Sequence, residues 1–517
     1  MPSPGAISRK FFQKNFLLFC ITLPAFHVLH RYNEYYRLLS LPPSFSYFLI
    51  CTVSFFFIFL GFKKMLVQPE KAAWFTLLLM ITFFFFGAFR DGIKRTPFPP
   101  FLISYSIFLP LLLILIVILF FSIKRKNISL VKKLYFFNFL FLCFLVFELF
   151  QLTVNIVFKK DSINDYKVVG SLILEPVHVR DAARPDIYFI VFDEYTSSAC
   201  LKEEFSFDNS RLDSLLAANH FFISKKSAGN YNITPFSVSS TLNFDYLNGS
   251  LEGRKMTGKL ILQGIRTLSL SRLPDFLKQE GYIIKNYSLF DLQGHPTAHT
   301  AYFEFIRDEI INTPTLFGNI NRDISWNFSN SRFLNSVLKG IGLENTSKQT
   351  HINNNKFNFN SLMKEIPISD TAPKFVYCHL MLPHEPFLLD KKGNLLTGSL
   401  PAKKTDNKEL YLGQLEYANS LISQIVPSIS KAASRPRVVI IEGDHGFRYY
   451  DQLNNKNDIY KNLNAYYFSD GNYSGLYDGI SPVNSFRVIL NKYFNQHLHL
   501  LTDKQVFIND SSNLILD

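Results

Sequence analysis

The chain has 517 residues, enough for two or three domains, and its 48% hydrophobic content is ordinary while its distribution is not. Thirty-one of the 55 Phe fall in residues 1–160, and that stretch carries a net charge of +14 against −1 for the remainder. The formal +13 is therefore not a basic face on a folded domain, which excludes a nucleic-acid binder, a wholly soluble chain and a disordered one.

Five apolar windows in the first part predict membrane-spanning helices, at 15–32, 43–62, 72–89, 100–123 and 134–158. The later four lie in stretches of 25, 18, 28 and 25 residues between basic residues, the last interrupted only by Glu148. Each can cross a hydrocarbon core of about 30 Å at about 1.5 Å per residue. The window at 15–32 is the weakest, with Pro24, His27 and His30 inside it; no small-x-small site follows, which argues against a cleaved signal peptide. Eleven Lys and Arg, from Arg9 to Lys133, fall in the segments on the N-terminal side of the membrane, against five (Arg31, Arg37, Arg90, Lys94, Arg95) in the opposite loops. That bias predicts a cytoplasmic N-terminus, and five spans then place everything after residue 160 outside. A carboxylate inside a span, as at Glu148, costs roughly 2.5–3.5 kcal/mol on insertion scales and needs a partner or a polar cavity.

Three of the five Cys fall in the spans; Cys200 and Cys378 are able to pair in an oxidising compartment, though no spacing demands it. Residues 159–185 read as a polar linker ending in Arg184-Pro185. From Asp186 to residue 517 the pattern becomes α/β. Near-continuous apolar runs at Ile187–Phe192, Phe375–Leu382 and Val438–Ile441 predict strands buried on both faces of a parallel sheet. Leu212–Ala218 and Leu410–Ile425 read as helices, and residues 344–360, rich in Asn, Lys and Thr, as an exposed insertion.

The chemistry gathers at the strand ends. The first strand runs into Asp193-Glu194, the second carries His379 and ends in Pro383-His384-Glu385-Pro386-Phe387, and the third leads into Glu442-Gly443-Asp444-His445-Gly446. In open α/β sheets sites form outside the carboxyl ends of the strands. Three buried strands delivering carboxylate and imidazole to one edge predict a metal centre, and mixed Asp/His donors suit Zn2+ or Mn2+ better than Ca2+.

These segments carry a resemblance. Ile187 to Glu194 resembles the opening strand of the sulfatase-like branch of the alkaline-phosphatase superfamily, and Val438 to Gly446 resembles its closing Asp-His-Gly metal motif. Asn230-Tyr-Asn-Ile-Thr234-Pro-Phe-Ser-Val-Ser-Ser240-Thr-Leu-Asn243 resembles its nucleophile segment. The layout is similar to the membrane-anchored members, the lipoteichoic-acid synthases and the phosphoethanolamine or phosphoglycerol transferases. The resemblance implies an alkaline-phosphatase-like α/β domain with a mainly parallel sheet behind about five N-terminal spans. It implies Asp193, Glu194, Thr234, Asp444 and His445 as metal ligands, Thr234 also as catalytic nucleophile, and His384 and His379 as substrate-binding groups. His379 lies within a strand, where alternate side chains turn into the core. The segment Thr-Pro-Phe-Ser-Val has neither the Cys or Ser nor the Arg that a sulfatase needs for formylglycine, which disfavours sulfate-ester hydrolysis, and the scarcity of further Asp/His clusters implies one metal, Zn2+ or Mn2+ with Mg2+ as the alternative. The implied activity is transfer of a phosphoglycerol, phosphoethanolamine or similar group from a membrane phospholipid to an envelope glycan or lipid through a phospho-threonine. The alternatives are a membrane-tethered phosphodiesterase or sulfatase-like hydrolase and an inactive scaffold. The implied location is a bacterial cytoplasmic (inner) membrane, multi-pass, with the catalytic domain outside the cytoplasm.

Overall fold

The computed structural model describes residues 16–158, 174–175, 184–299, 310–320 and 346–510, apart from short stretches at 37, 40, 98, 126–128, 248–250, 397–406, 432–434 and 450–451. Most of the expected linker lies outside the described residues. The chain divides into two compact units, one made of Met1–Ile163 with Glu304–Leu334 and the last two residues, the other of Asn164–Phe303 with Asn335–Ile515. Residues 310–320, which the sequence places inside the 186–517 domain, group with the N-terminal helices.

The first unit holds helices α1 (Phe19–Glu34), α2 (Leu41–Leu66), α3 (Pro69–Phe84), α4 (Phe86–Lys94), α5 (Tyr105–Arg125) and α6 (Val131–Phe158). Among the described residues, α2, α5 and α6 are long and apolar enough to cross a membrane, and α3 with α4 adds a fourth if that pair, bent by 59°, is one span. The α1 helix has only 16 residues, with Pro24 inside it and Arg31 and Glu34 in its last turn. Its first amide is satisfied from another helix, since Asn138 on α6 accepts from Phe19 N at 2.7 Å. Further along, Asn33 of α1 donates to Glu148 of α6, so the two helices run side by side in the same direction.

The break between α3 and α4 has a tertiary cause. Gly87 N donates to Pro314 O at 2.9 Å, so a segment remote in sequence takes a donor from the helix at that point. The approach needs glycine, because a Cβ there would stand 3.0 Å from Pro314 O and 3.1 Å from Asn319 Nδ2. Residues 310–320 are stitched to the helices at further points. Arg31 donates to Ile310 O through Nε and Nη2, His27 Nε2 bonds Ile311 O at 3.0 Å, and Tyr105 OH donates to Asn319 O.

The second unit is built on a six-stranded mixed sheet. Its strands are β1 (Asp186–Phe192), β2 (Phe222–Ile223), β3 (Ile283–Tyr287), β4 (Lys374–Leu380), β5 (Arg437–Glu442) and β6 (Asn464–Phe468), in the order β2-β6-β5-β1-β4-β3. The pairs β1–β4, β1–β5 and β3–β4 are parallel, while β6 runs antiparallel to both β5 and β2. Central strands β1, β4 and β5 are buried throughout, as their unbroken apolar runs require. Between them lie α7 (Ser198–Phe205), α8 (Ser210–Ala218), α9 (Thr234–Asn243), α10 (Gly258–Ser269), α11 (Arg272–Gln279), α12 (Thr346–Glu365) and α13 (Asn407–Ser430), and α14 (Pro482–Tyr493) follows β6.

One face of the sheet is a continuous apolar core, with Tyr188, Ile190, Phe192, Val376, Cys378, Leu380, Val439 and Ile441 packed together with Leu415, Ile422 and Ile425 of α13. On the other face Phe486 of α14 meets Phe189 and Phe375 edge-on. Two expectations are corrected. Residues 344–360 are no exposed insertion: most of them form α12, whose Asn358, buried, donates to His379 O at 2.9 Å, and Ile352 and Leu362 join the core. Asn355 and Asn358 serve burial here by donating to the backbone carbonyls of Met381 and His379, which composition alone does not reveal. Cys200 and Cys378 are both free and buried, each engaged elsewhere, Cys200 with Asp458 and Cys378 with Asn358 O.

Candidate metal and phosphoryl-transfer site

Each predicted group arrives from its own element. Asp193 follows the last residue of β1, and its amide continues the β1–β4 ladder by donating to Leu380 O at 2.9 Å. Asp444 and His445 follow β5, in a turn that passes so close to the chain after β1 that a Cβ on Gly443 would stand 2.2 Å from Tyr195 O. Thr234 opens α9 and Pro235 takes the first turn, where its missing N–H costs nothing. Every residue from Pro235 to Asn243 is buried, whereas Thr234 keeps partial exposure. Ser237 in the same helix donates to Asp444 O at 2.6 Å, fixing α9 to the metal-motif turn.

The structure brings Asp193, Thr234, Asp444 and His445 together. Ligand atoms of Asp193, Asp444 and His445 all lie within 4.8 Å of one another, and all three residues are buried. Thr234 Oγ1 stands 3.3 Å from Asp193 Oδ1 and 3.3 Å from His445 Nε2, and His445 Nε2 is 3.5 Å from Asp444 Oδ2 and 3.9 Å from Asp193 Oδ1. Four donors placed tetrahedrally about 2.1 Å from a cation stand about 3.4 Å apart, so these separations match a coordination shell. His445 Nδ1–H donates to Gly446 O at 2.8 Å, which leaves Nε2 with its lone pair toward the cluster. Asp444 Oδ1 accepts from Glu194 N at 3.0 Å, while its Oδ2 is buried and meets no donor. Two buried carboxylates, one with an orphan oxygen, together with an imidazole lone pair, fit a divalent cation.

His379 is fully buried and placed behind this cluster. Tyr377 OH donates to its Nδ1 at 2.8 Å, and its Nε2–H donates to Asp193 Oδ2 at 3.1 Å. As placed, the fully buried ring orients the Asp193 carboxylate, in place of the substrate contact expected of it. Glu194 is outside the close group of ligand atoms, although its Oε2 is buried without a hydrogen-bond partner. Its Oε1 accepts from Arg448 N at 2.8 Å and its Oε2 is 3.9 Å from His384 Nε2, so it bridges the cluster to the next wall of the site. Its backbone adopts a left-handed φ of 65° to do so.

That wall consists of His384, Glu385, Arg448 and Tyr449, and no pattern in the sequence signalled the last two. Arg448 and Tyr449 both donate to the Glu385 carboxylate, and His384 Nδ1–H donates to Glu385 O at 2.5 Å. His384 thus offers Nε2 toward the site.

The electrostatics follow. Burial by itself would raise the Asp193 carboxyl, but the imidazoles of His384, His379 and His445 outweigh it and hold the group below the usual carboxylate range. Burial pushes Glu194 well up, with Glu385 and Asp193 adding to the effect against Arg448. Burial also lowers His384. Burial opposes ionisation of Glu385, yet Arg448 and His384 keep it below its ordinary value.

No family model and no curated protein sequence matches the chain. Among solved structures, it is similar to the zinc complex of the C-terminal periplasmic domain of EptC from Escherichia coli, at 13% identity and a TM-score of 0.36 over 62% of this chain and 86% of that one. It is similar to the integral membrane lipooligosaccharide phosphoethanolamine transferase EptA from Neisseria meningitidis, at 10% identity and a TM-score of 0.36 over 93% of this chain and 95% of that one. A third similarity is to yidJ of Bacteroides fragilis, a protein with a sulfatase designation, at 13% identity and a TM-score of 0.33 over 63% and 76% of the two chains.

Proposed function

We propose that the chain is a membrane-anchored, metal-dependent transferase that moves a phosphoglycerol, phosphoethanolamine or similar group from a membrane phospholipid to an envelope glycan or lipid. In this reading about five helices, α1 included, anchor it in a bacterial cytoplasmic membrane, with the sheet unit outside the cytoplasm. The observation that carries it is the position of Thr234, partly exposed at a helix start with its hydroxyl 3.3 Å from both Asp193 and His445.

A single divalent cation, Zn2+ or Mn2+ with Mg2+ as the alternative, held by Asp193, Asp444, His445 and Thr234, would lower the hydroxyl pKa and offset phosphoryl charge. Thr234 Oγ attacks the lipid phosphorus, forming a phospho-threonine, while the bond to the diacylglycerol oxygen breaks. The hydroxyl proton, with Asp193 Oδ1 in reach at 3.3 Å, leaves through solvent, and the diacylglycerol oxygen takes up one proton as it departs, so the step is proton-neutral. The N-terminus of α9 behind Thr234 favours the phosphate charge. His379, through Asp193, keeps the carboxylate in place. His384 stands beside the cluster with Nε2 open to a substrate oxygen. An acceptor hydroxyl then attacks the phospho-threonine, and Thr234 leaves with a proton restored.

The test is mass spectrometry of the full-length protein after exposure to defined phospholipids. An adduct on Thr234, with the mass of one headgroup phosphate, is expected, and it is expected to disappear on adding a glycan or lipid acceptor. Adducts that vanish equally fast without acceptor would instead make the protein a hydrolase. No adduct with any donor, with the metal bound, would overturn the covalent route.

A further inference from the structure

We propose that His30 and Glu148 form a second site, on the helical unit, that binds the phosphate of a membrane phospholipid. Glu148 lies in α6, its side chain only 6% exposed, and its Oε1 accepts from His30 Nδ1–H at 2.7 Å. Its Oε2 accepts from Asn33 Nδ2 at 2.7 Å, the same amide reaching Glu148 O at 2.8 Å. Asn155, two helical turns further along α6, donates to Asn33 O and Oδ1, and its own Oδ1 is buried without a donor. Phe26 stacks on the His30 ring at 5.6 Å, so the imidazole is held on its face as well as at Nδ1.

Two features separate this arrangement from a helix-to-helix stitch. A stitch between α1 and α6 needs only neutral amides, as Asn138 shows at the other end of the pair, where it bonds Phe19 N and Phe16 O. A carboxylate adds a charge in a span, and such groups mark functional positions. The second feature is that His30 is not sealed in: its side chain is 54% exposed, and with Nδ1 spent on Glu148 the open nitrogen is Nε2. When it carries both protons, an imidazole clamped in this way presents Nε2–H outward as a charge-assisted donor, and a phosphate oxygen is its natural acceptor.

His30 is four residues from the end of α1 and Glu148 ten from the end of α6, about 6 Å and about 15 Å of helix, so the exposed imidazole, on the shorter path, is the group a headgroup phosphate would reach. In the proposed topology these ends face the outer leaflet, where the phospholipid donor lies. The site would therefore retain a donor lipid at the enzyme and raise its local concentration. The choice of a lipid as ligand rests on the transferase reading, whereas the binding itself does not.

The experiment uses the full-length protein in nanodiscs of phosphatidylglycerol mixed with a galactosyl diacylglycerol of the same acyl chains, with native mass spectrometry counting the lipids that stay bound on release. The wild type is expected to retain the phospholipid about tenfold over the phosphate-free lipid, the worth of one charge-assisted hydrogen bond. His30→Gln is expected to remove the preference, His30→Lys to restore it, and Glu148→Gln to weaken it severalfold. His30 is half exposed, so its variants stay informative even if the Glu148 variant does not fold. Thr234→Ala, which abolishes transfer in the reading above, is expected to leave retention unchanged, so loss of catalysis and loss of this site are told apart. An unchanged preference in His30→Gln would overturn the proposal, as would displacement of the lipid by excess inorganic phosphate, which would make the ligand a free anion.

Discussion

Glu148 in the helical unit and Asp444 in the sheet unit are both buried carboxylates, yet they are dressed differently. Both oxygens of Glu148 have donors, His30 on one and Asn33 on the other. Asp444 has a donor on Oδ1 only, and two residues earlier Glu442 has none on either oxygen. Where water is scarce on every side, a charge must bring its partners from the chain. Where a site is to hold a cation, the chain leaves oxygens unsatisfied, and the ligand supplies what is missing. Burial and the neighbouring Asp444 push the Glu442 carboxyl well up.

The comparison breaks most sharply at the metal shell. Asp444→Asn should empty the site of metal, read by elemental analysis, and Thr234→Ala should cut phospho-group transfer by more than about 10^3-fold with metal content largely kept. Equal loss of metal in both would show that Thr234 serves only as a ligand. His379→Gln comes next, with about 10–100-fold lost in metal affinity or rate, because a second partner orients Asp193. A change confined to melting temperature would make His379 a packing residue.

On the helical side, Glu148→Ala strands His30 and Asn33 and should cost about 1–3 kcal/mol of stability in detergent, measured by thermal melting. Gly87→Ala forces a Cβ to 3.0 Å from Pro314 O and should cost about 1–3 kcal/mol by the same measure. The smallest effect expected is at Glu385. Its carboxyl sits below its ordinary value of 4.5, so its contribution is fully present above that pH and fades as the pH falls through the depressed value. Melting of Glu385→Gln against wild type should therefore differ at pH 7 and converge in acid; a difference that grows in acid would contradict the Arg448 pairing.

The legible part of the site was the part written at strand ends. Asp193, Asp444 and His445 follow unbroken apolar runs, and Thr234 precedes a proline at a helix start, so each stands out against its surroundings. Glu194 and His379 occupy the places expected in the chain, but which way a side chain turns depends on a left-handed φ in one case and on strand alternation in the other. Arg448 and Tyr449 carried no local signal, because their pairing with Glu385 spans 63 and 64 residues. The fold shows the same division. Strand cores were readable from continuous hydrophobicity, whereas the bend after Phe84 was not, since its cause is a carbonyl more than 200 residues away. Helix α12 was hidden for a related reason, its Asn-rich composition masking side chains that bond inward.

The stitching of residues 310–320 bears on how the protein can be cut. A fragment starting at Asp186 would carry this stretch yet lose Arg31, His27, Gly87 and Tyr105, the groups that hold it. Ile310 and Ile311, sealed in the whole chain, would then face solvent as a sticky flap. A soluble version of the sheet unit would have to excise that flap or redesign its apolar residues to stay monodisperse.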